Sequence, residues 1–267
     1  MARHPRRNEA KGWSPTAPGR ARSPSRKAAP ASSDWLWGWH AVTAALANPA
    51  RGEPRRLVAT AERGRELASR FPKLKPAEPL EAAEIARLLP AGAAHQGVAL
   101  KAAPLEPLSL AALATPAEGV LVMLDQVTDP QNVGAIFRSA AALGARGVIV
   151  QDRHAPLLTG ALAKAAAGAL DVMPHARVVN LARALDELET LGWRAVGLAG
   201  DAAEPLEAVL DARATVLVLG SEGEGLRRLV GEHCDVLARI AMPGGFESLN
   251  VSAAAAIALY LASRAQG

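Results

Sequence analysis

The chain of 267 residues contains a single cysteine, Cys234, so it cannot form an internal disulfide or a cysteine-based metal cluster. It also lacks any apolar run of the roughly 18 residues that a membrane-spanning helix needs, because Gly, Lys and Pro interrupt its alanine-rich stretches. The first residues contain no apolar core of a secretory signal. These absences predict a protein of the reducing cytoplasm that binds neither a membrane nor a metal.

Negative charge is scarce in the first 33 residues, which contain eight Lys or Arg residues and one Glu. The rest of the chain contains 22 basic and 25 acidic side chains, so the basic isoelectric point comes from this N-terminal tail. The tail is rich in Arg, Pro, Ser and Ala without periodicity, and it is predicted to be disordered. It is either an arm that tethers RNA through nonspecific charge or a solvated tail without a specific role.

A change of pattern along the chain predicts two ordered domains after residues 1–33. Residues 34–103 alternate short apolar runs with helical segments, which is typical of a small mixed α/β domain. Residues 104–117 contain three prolines and are predicted to be a linker. Residues 118–267 form the second and larger domain. A chain of this length has room for two such domains.

The first domain begins with three alternating tryptophans, which would share one face of a strand and are predicted to pack in a core or an interface rather than stack on bases: Trp35, Trp37 and Trp39. A helix is predicted to follow, up to about Ala47. Further predicted elements are strands over residues 56–60 and 95–100, the latter beginning in a turn, and helices over residues 63–70 and 82–89.

The second domain repeats continuous apolar runs with helical segments between them, which predicts a parallel, doubly wound sheet. Five strands are expected over residues 120–124, 147–150, 195–198, 216–219 and 236–242, and four helices over residues 133–143, 161–167, 181–191 and 226–233. Ligands of such sheets bind at the carboxyl ends of the strands. Three polar segments fall at such ends, which predicts a site there.

The first polar segment, Asp129–Arg138, leads from a strand into a helix. Asn132 is a plausible N-cap of that helix, and Arg138 lies off its buried stripe, where it could reach a cleft. A capping Asn and a solvated Arg are the alternative interpretation.

The second segment, Gly220–Gly225, is a glycine-rich turn that lets backbone amides approach a ligand, but it lacks the Gly-Lys-Ser/Thr of a phosphate-binding loop. The third, Ser248–Ser252, places polar side chains at the start of an alanine-rich helix. There Asn250 is suited both to a site and to a helix N-cap.

Together and in this order, the three segments resemble the motifs of the SpoU (TrmH) family of RNA 2′-O-ribose methyltransferases, over roughly residues 119–263. The resemblance implies a parallel-sheet SPOUT domain with a C-terminal trefoil knot, threaded within roughly residues 197–250. It also implies S-adenosylmethionine as cofactor, no metal, and a homodimer formed through the knotted domains.

By the same resemblance, three residues bind the cofactor and five are catalytic: Gly220, Ile240 and Leu249, and Asn132, Arg138, Glu222, Ser248 and Asn250. Glu222 is expected to orient Arg138, which the family pattern makes the base. A guanidinium rarely gives up its proton, so a substrate phosphate as base, with Arg138 steering the oxygen by charge, is the alternative. Many family members read Ile-Pro-Met where this chain has Ile-Ala-Met-Pro, with the proline two places later at Pro243.

The first domain resembles the ribosomal-protein-like RNA-binding domain of bacterial 23S rRNA guanosine-2′-O-methyltransferases, through Gly38, His40, Ala41, Val42, His95, Gln96 and Gly97. This resemblance implies guanosine in 23S rRNA as the substrate. A purely loop-capping role for His95 is the alternative. Two other functions stay open: methylation of tRNA, whose enzymes usually lack this domain, and RNA binding without catalysis, which the intact set of catalytic residues disfavours.

Overall fold

A computed structural model of the chain describes residues 34–153, 155–156, 158, 160–244 and 248–267. The basic tail at residues 1–33, and its predicted disorder, lie outside the described residues. The described residues form two separate β-sheets within one compact unit.

The first sheet has four strands in the order β1-β4-β2-β3, and β4 is antiparallel to both β1 and β2. Its strands and helices are β1 (Trp35–Trp37), α1 (Trp39–Ala47), β2 (Arg56–Ala59), α2 (Ala61–Arg70), β3 (Glu78–Pro79), α3 (Ala82–Arg87) and β4 (Val98–Lys101). Trp35 and Trp37 are buried in a small cluster with Val58 and Ile85, which confirms core packing for these two tryptophans. Trp39 does not share their strand because the chain turns at Gly38 and α1 begins.

The second sheet has seven strands, all paired in parallel, in the order β7-β6-β5-β10-β8-β11-β9. The strands are β5 (Val120–Leu124), β6 (Gly147–Gln151), β7 (His175–Val178), β8 (Arg194–Leu198), β9 (Glu204–Pro205), β10 (Thr215–Leu219) and β11 (Val236–Arg239). The five predicted strands are confirmed. The two edge strands were not predicted, because β7 carries charged and polar side chains and β9 has only two residues.

Helices cover both faces of this sheet, as a doubly wound fold requires. They are α4 (Leu110–Ala114), α5 (Pro130–Ala142), α6 (Ala161–Ala165), α7 (Leu181–Thr190), α8 (Leu206–Val209), α9 (Arg228–Glu232) and α10 (Val251–Ala265). One core lies under α5, α6, α8 and α10, and a second lies under α4, α7 and α9. In the described part of the chain, no helix is long and apolar enough to cross a membrane.

The predicted linker at residues 104–117 contains the short helix α4 and packs on the second sheet. The side chain of Ser109 caps α4 by accepting a hydrogen bond from the backbone N–H of Ala112, at 3.2 Å. Leu110 and Leu113 form the buried side of α4, and the backbone of Leu108 pairs with the edge strand β7. The buried leucines and the backbone pairing of Leu108 therefore attach this segment to the second sheet.

A buried ion pair joins the first sheet's domain to the second. Arg51, which follows α1, donates its Nε to Asp171 at 2.7 Å, and both side chains are 2% exposed. Arg51 also donates to the carbonyl of Ala103 at 2.8 Å, and Asn48 donates to Asp171 at 3.2 Å. The buried charges of the Arg51 guanidinium and the Asp171 carboxylate are therefore balanced only while these two segments of the chain are packed together.

We expect Arg51→Ala to lower the free energy of unfolding by about 3–5 kcal/mol, because it leaves the carboxylate of Asp171 buried without its charge partner. Arg55→Ala is the matched control, since the Arg55 side chain is 56% exposed in its pair with Asp34 and such pairs contribute little. Urea denaturation measures both. Equal effects of the two changes would contradict the role of the buried pair.

Candidate active site

The carboxyl ends of β8, β10 and β11 open into a cleft of about 710 Å³. Six of the eight residues singled out in the sequence line it: Gly220, Glu222, Ile240, Ser248, Leu249 and Asn250. Asn132 and Arg138 stand outside the lining. The loop Leu198–Gly200 also lines the cleft and was not singled out. Its position directly after a predicted strand is the signal that could have found it.

The glycine-rich turn after β10 is a closed loop. Ser221 and Gly225 exchange two backbone hydrogen bonds, of 3.1 and 3.0 Å, across the turn. A Cβ atom on Gly220 would lie 2.1 Å from the backbone of Gly225. Only glycine fits this position, and the reason is the loop's own backbone rather than the approach of a ligand.

Gly220→Ala is therefore expected to lower the free energy of unfolding by at least about 2 kcal/mol, because backbone atoms cannot move aside cheaply. Gly64→Ala is the control. Gly64 lies inside α2, nothing lies within 4 Å of the added Cβ, and alanine favours a helix by up to about 1 kcal/mol. Thermal unfolding of both variants checks this, and a neutral Gly220→Ala would refute the closed-loop explanation.

Glu222, in this loop, connects all three polar segments through one carboxylate oxygen. Its Oε1 accepts hydrogen bonds from Nδ2 of Asn132 at 3.1 Å, from Nδ2 of Asn250, and from the backbone N–H of Val251 at 3.2 Å. Asn250 also donates to Oδ1 of Asn132 at 3.0 Å. Hydrogen bonds from N–H groups to a negatively charged oxygen are stronger than those to a neutral one, so such an oxygen holds its donors firmly in place. The carboxylate thus holds the start of α5 and the start of α10 against the glycine-rich loop.

Asn250 caps α10 and also directs its side-chain amide toward Glu222 and Asn132. Its Oδ1 accepts from the backbone N–H groups of Ser252 and Ala253, at 3.0 and 3.3 Å, and so caps α10. Its Nδ2 points to Glu222 and Asn132. The cap therefore fixes the rotamer that presents the amide to the site.

The prediction that Asn132 caps α5 is wrong. The helix begins at Pro130, three residues before its predicted start at Val133. Asp129 is its N-cap and accepts a hydrogen bond from the backbone N–H of Gln131 at 3.1 Å. Proline is favoured at the first helical position because its missing N–H would have no partner there. Asn132 lies in the first turn instead, so its amide is free to reach Glu222.

Arg138 lies on α5 and is exposed. The structure does not bring Arg138 to Glu222. Glu222 contacts Asn132 at the start of the helix, and Arg138 lies six residues after Asn132, or about 9 Å further along the helix axis. Among the described residues, Arg138 makes no hydrogen bond or ion pair with another side chain. Its predicted orientation by Glu222 is therefore not part of this structure.

The third segment enters the cleft from the loop after β11. Ile240 and Met242 line the cleft, and the displaced Pro243 forms a turn with Gly244. Residues 245–247 lie outside the described residues. Ser248 and Leu249 lie at the cleft and are exposed, with Leu249 at 39%.

Two other reactive side chains are unsuited to catalysis. Burial raises the pKa of the Cys234 thiol to about 12, so it stays protonated at neutral pH. Burial and the charges of Arg177 and Arg51 lower the pKa of His175 to about 4, so its imidazole stays neutral. In the described part of the chain, no group of three or more His, Cys, Asp or Glu side chains could hold a metal ion.

The fold and the site define an α/β protein whose glycine-lined cleft opens at the carboxyl ends of a parallel sheet, with one carboxylate joining three loops. The model of the SpoU rRNA methylase family matches residues 119–260. The chain belongs to this family.

Named relatives and solved structures agree with this membership. The 23S rRNA (guanosine-2'-O-)-methyltransferase RlmB of Xylella fastidiosa (strain Temecula1) is 40% identical over 245 residues, which cover 87% of this chain and 96% of that protein. RlmB of Ralstonia nicotianae is 40% identical over 247 residues, with the same shares. The crystal structure of the SpoU methyltransferase AviRb from Streptomyces viridochromogenes has a TM-score of 0.72 and 25% identity, covering 87% of this chain and 89% of AviRb. AviRb in complex with AdoMet gives a TM-score of 0.70 at 25% identity, covering 86% and 89%.

Proposed function

We propose that this protein transfers a methyl group from S-adenosylmethionine to the ribose 2′-hydroxyl of a guanosine in 23S rRNA. The observation that carries the proposal is the convergence of Asn132, Asn250 and the glycine-rich loop on the Glu222 carboxylate, at the edge of the cleft. The relatives that match across 87% of the chain are methyltransferases of this kind.

The cleft fits S-adenosylmethionine in size and in chemistry. Small-molecule sites have volumes of roughly 300–1,000 Å³ with mainly apolar walls and a few polar groups. Here Leu198, Ile240 and Leu249 offer apolar surface for an adenine ring, and the backbone from Gly220 onward offers polar groups. The predicted cofactor-binding residues therefore lie together in one suitable cleft.

The residues of the chain have separate tasks in the proposed reaction. The cofactor, when bound, supplies an electrophilic methyl group on its sulfonium. Glu222 holds Asn132 and Asn250 in fixed positions, and these amides and Ser248 align the nucleotide beside the cleft. Arg138 holds the ribose oxygen through its charged, planar guanidinium, and an adjacent phosphate of the substrate takes the hydroxyl proton.

Recognition of 23S rRNA is assigned to the domain of residues 34–103, joined through residues 104–117 to the methyltransferase domain of residues 118–267. Exposed basic side chains follow one another after β2 and offer contacts to phosphates: Arg65, Arg70, Lys73 and Lys75. The basic tail of residues 1–33 adds nonspecific affinity. A ribosomal substrate places the protein in the cytoplasm.

A homodimer with a trefoil knot completes the proposal. The inner face of α10 packs on the protein's own sheet, and its outer face exposes an apolar stripe at helical spacing that includes Ile257 and Tyr260, which are 38% and 55% exposed. A two-fold partner covers this stripe. The packing of α10 against α5 and β10, in the middle of the sheet, supports a knot threaded within residues 197–250.

Light scattering at low micromolar concentration tests the dimer, which should have twice the chain mass of 27.6 kDa. Tyr260→Asp should shift the mass toward one chain, whereas Val172→Asp, at a still more exposed apolar position outside α10, should not. A wild-type mass of one chain would refute the dimer.

Titration calorimetry tests cofactor binding in the purified full-length protein. S-adenosylmethionine and its demethylated product should both bind with dissociation constants of micromolar order, about −8 kcal/mol. Absence of heat and of any thermal shift at millimolar cofactor would overturn the proposed function.

A further inference from the structure

Behind the glycine-rich loop, Asp125 is a carboxylate with no exposed surface, at the carboxyl end of β5. It accepts two hydrogen bonds from Arg227, one from the backbone N–H at 3.0 Å and one from Nε at 2.7 Å. The guanidinium also reaches Oε1 of the buried Gln151, at 3.5 Å. A buried charge with so specific a set of partners is costly unless the partners stay in place.

Asp125 fastens the loop at both of its ends. The backbone N–H of Asp125 donates to the carbonyl of Leu219, the last residue before the loop, at 2.8 Å. Arg227 lies two residues after Gly225, the last residue of the loop, and α9 begins directly after Arg227. One residue of β5 thus holds the start and the end of the segment that carries Glu222.

We propose that the Asp125–Arg227 pair is a positioning element of the methyl-transfer site. It holds the glycine-rich loop in the position in which the loop lines the cofactor cleft and Glu222 contacts Asn132 and Asn250. This inference rests on the proposed function. Neither Asp125 nor Arg227 lines the cleft, so both act through the loop.

The test compares Arg227→Lys with Val230→Ala in the full-length protein. Arg227→Lys keeps the charge but loses the planar fork that binds the carboxylate and Gln151 together. Val230 is buried on α9, the same helix, and its truncation destabilises the protein through packing alone. Asp125→Asn serves as a second variant that retains the shape of the side chain.

Calorimetry with S-adenosylmethionine and thermal unfolding give the two readouts. We expect the dissociation constant to rise at least 10-fold in Arg227→Lys and in Asp125→Asn, and to stay within 3-fold of wild type in Val230→Ala at a similar loss of melting temperature. Dissociation constants within 3-fold of wild type in both pair variants would overturn the inference. If wild type itself does not bind the cofactor, the proposed function fails rather than the role of the pair.

Discussion

Glu222→Ala is expected to lower the rate of methyl transfer at least about 100-fold, because small displacements of aligned groups carry losses of that size. The change removes the oxygen that accepts from Asn132, Asn250 and Val251, and leaves the starts of α5 and α10 unconnected to the loop. Glu222→Gln, which retains an accepting oxygen, should lose less. Turnover with saturating cofactor and RNA measures the effect.

Glu224→Ala is the matched control for Glu222→Ala. Glu224 has the same side chain two residues further along the same loop, and it is exposed. It should keep near-normal turnover. If Glu222→Ala also turned over at the wild-type rate, the carboxylate would not organise the site.

Arg138→Ala should have the largest effect on chemistry, with turnover falling at least about 1,000-fold, because removal of one group that stabilises transition-state charge lowers rates by a factor of this order. The dissociation constant of S-adenosylmethionine should stay within a few-fold, since Arg138 does not line the cleft. Arg138→Lys should also fail, because a point charge does not reproduce the planar fork. Single-turnover rates and calorimetry separate the two effects.

Arg183→Ala provides the control for Arg138→Ala, because Arg183 is an exposed arginine on α7, on the opposite face of the sheet. It should leave both the rate and the affinity unchanged. Near-normal turnover of Arg138→Ala would remove Arg138 from the mechanism.

The central strands were predictable because each is buried on both faces and therefore reads as a continuous apolar run, as in β5 and β10. Strand β7 lies at an edge of the sheet, and His175 and Arg177 interrupt the apolar pattern by which a buried strand is predicted. The start of α5 was predicted too late because Asn132 is itself a favourable N-cap residue. The pair Asp129-Pro130, a capping residue before a proline, was the better signal.

Six of the eight predicted site residues line one cleft, but the hydrogen bonds between the polar segments were not predictable. The motifs placed Gly220, Glu222 and Asn250 in one cleft, as the structure has them. That Glu222 would hold Asn132 depends on a contact between residues 90 positions apart, which no local pattern specifies. The roles of Asp125 and Arg227 were hidden for the same reason, since they meet across 102 positions.

The most direct test of ribose methylation uses purified protein, radiolabelled S-adenosylmethionine and 23S rRNA from a strain that lacks this protein, followed by nuclease digestion and mapping of the labelled nucleotide. We predict incorporation at a single guanosine. Its labelled methyl group should be on the ribose 2′-oxygen and should block alkaline cleavage of the following phosphodiester. Label on a base, or no incorporation by a protein that binds the cofactor, would contradict it.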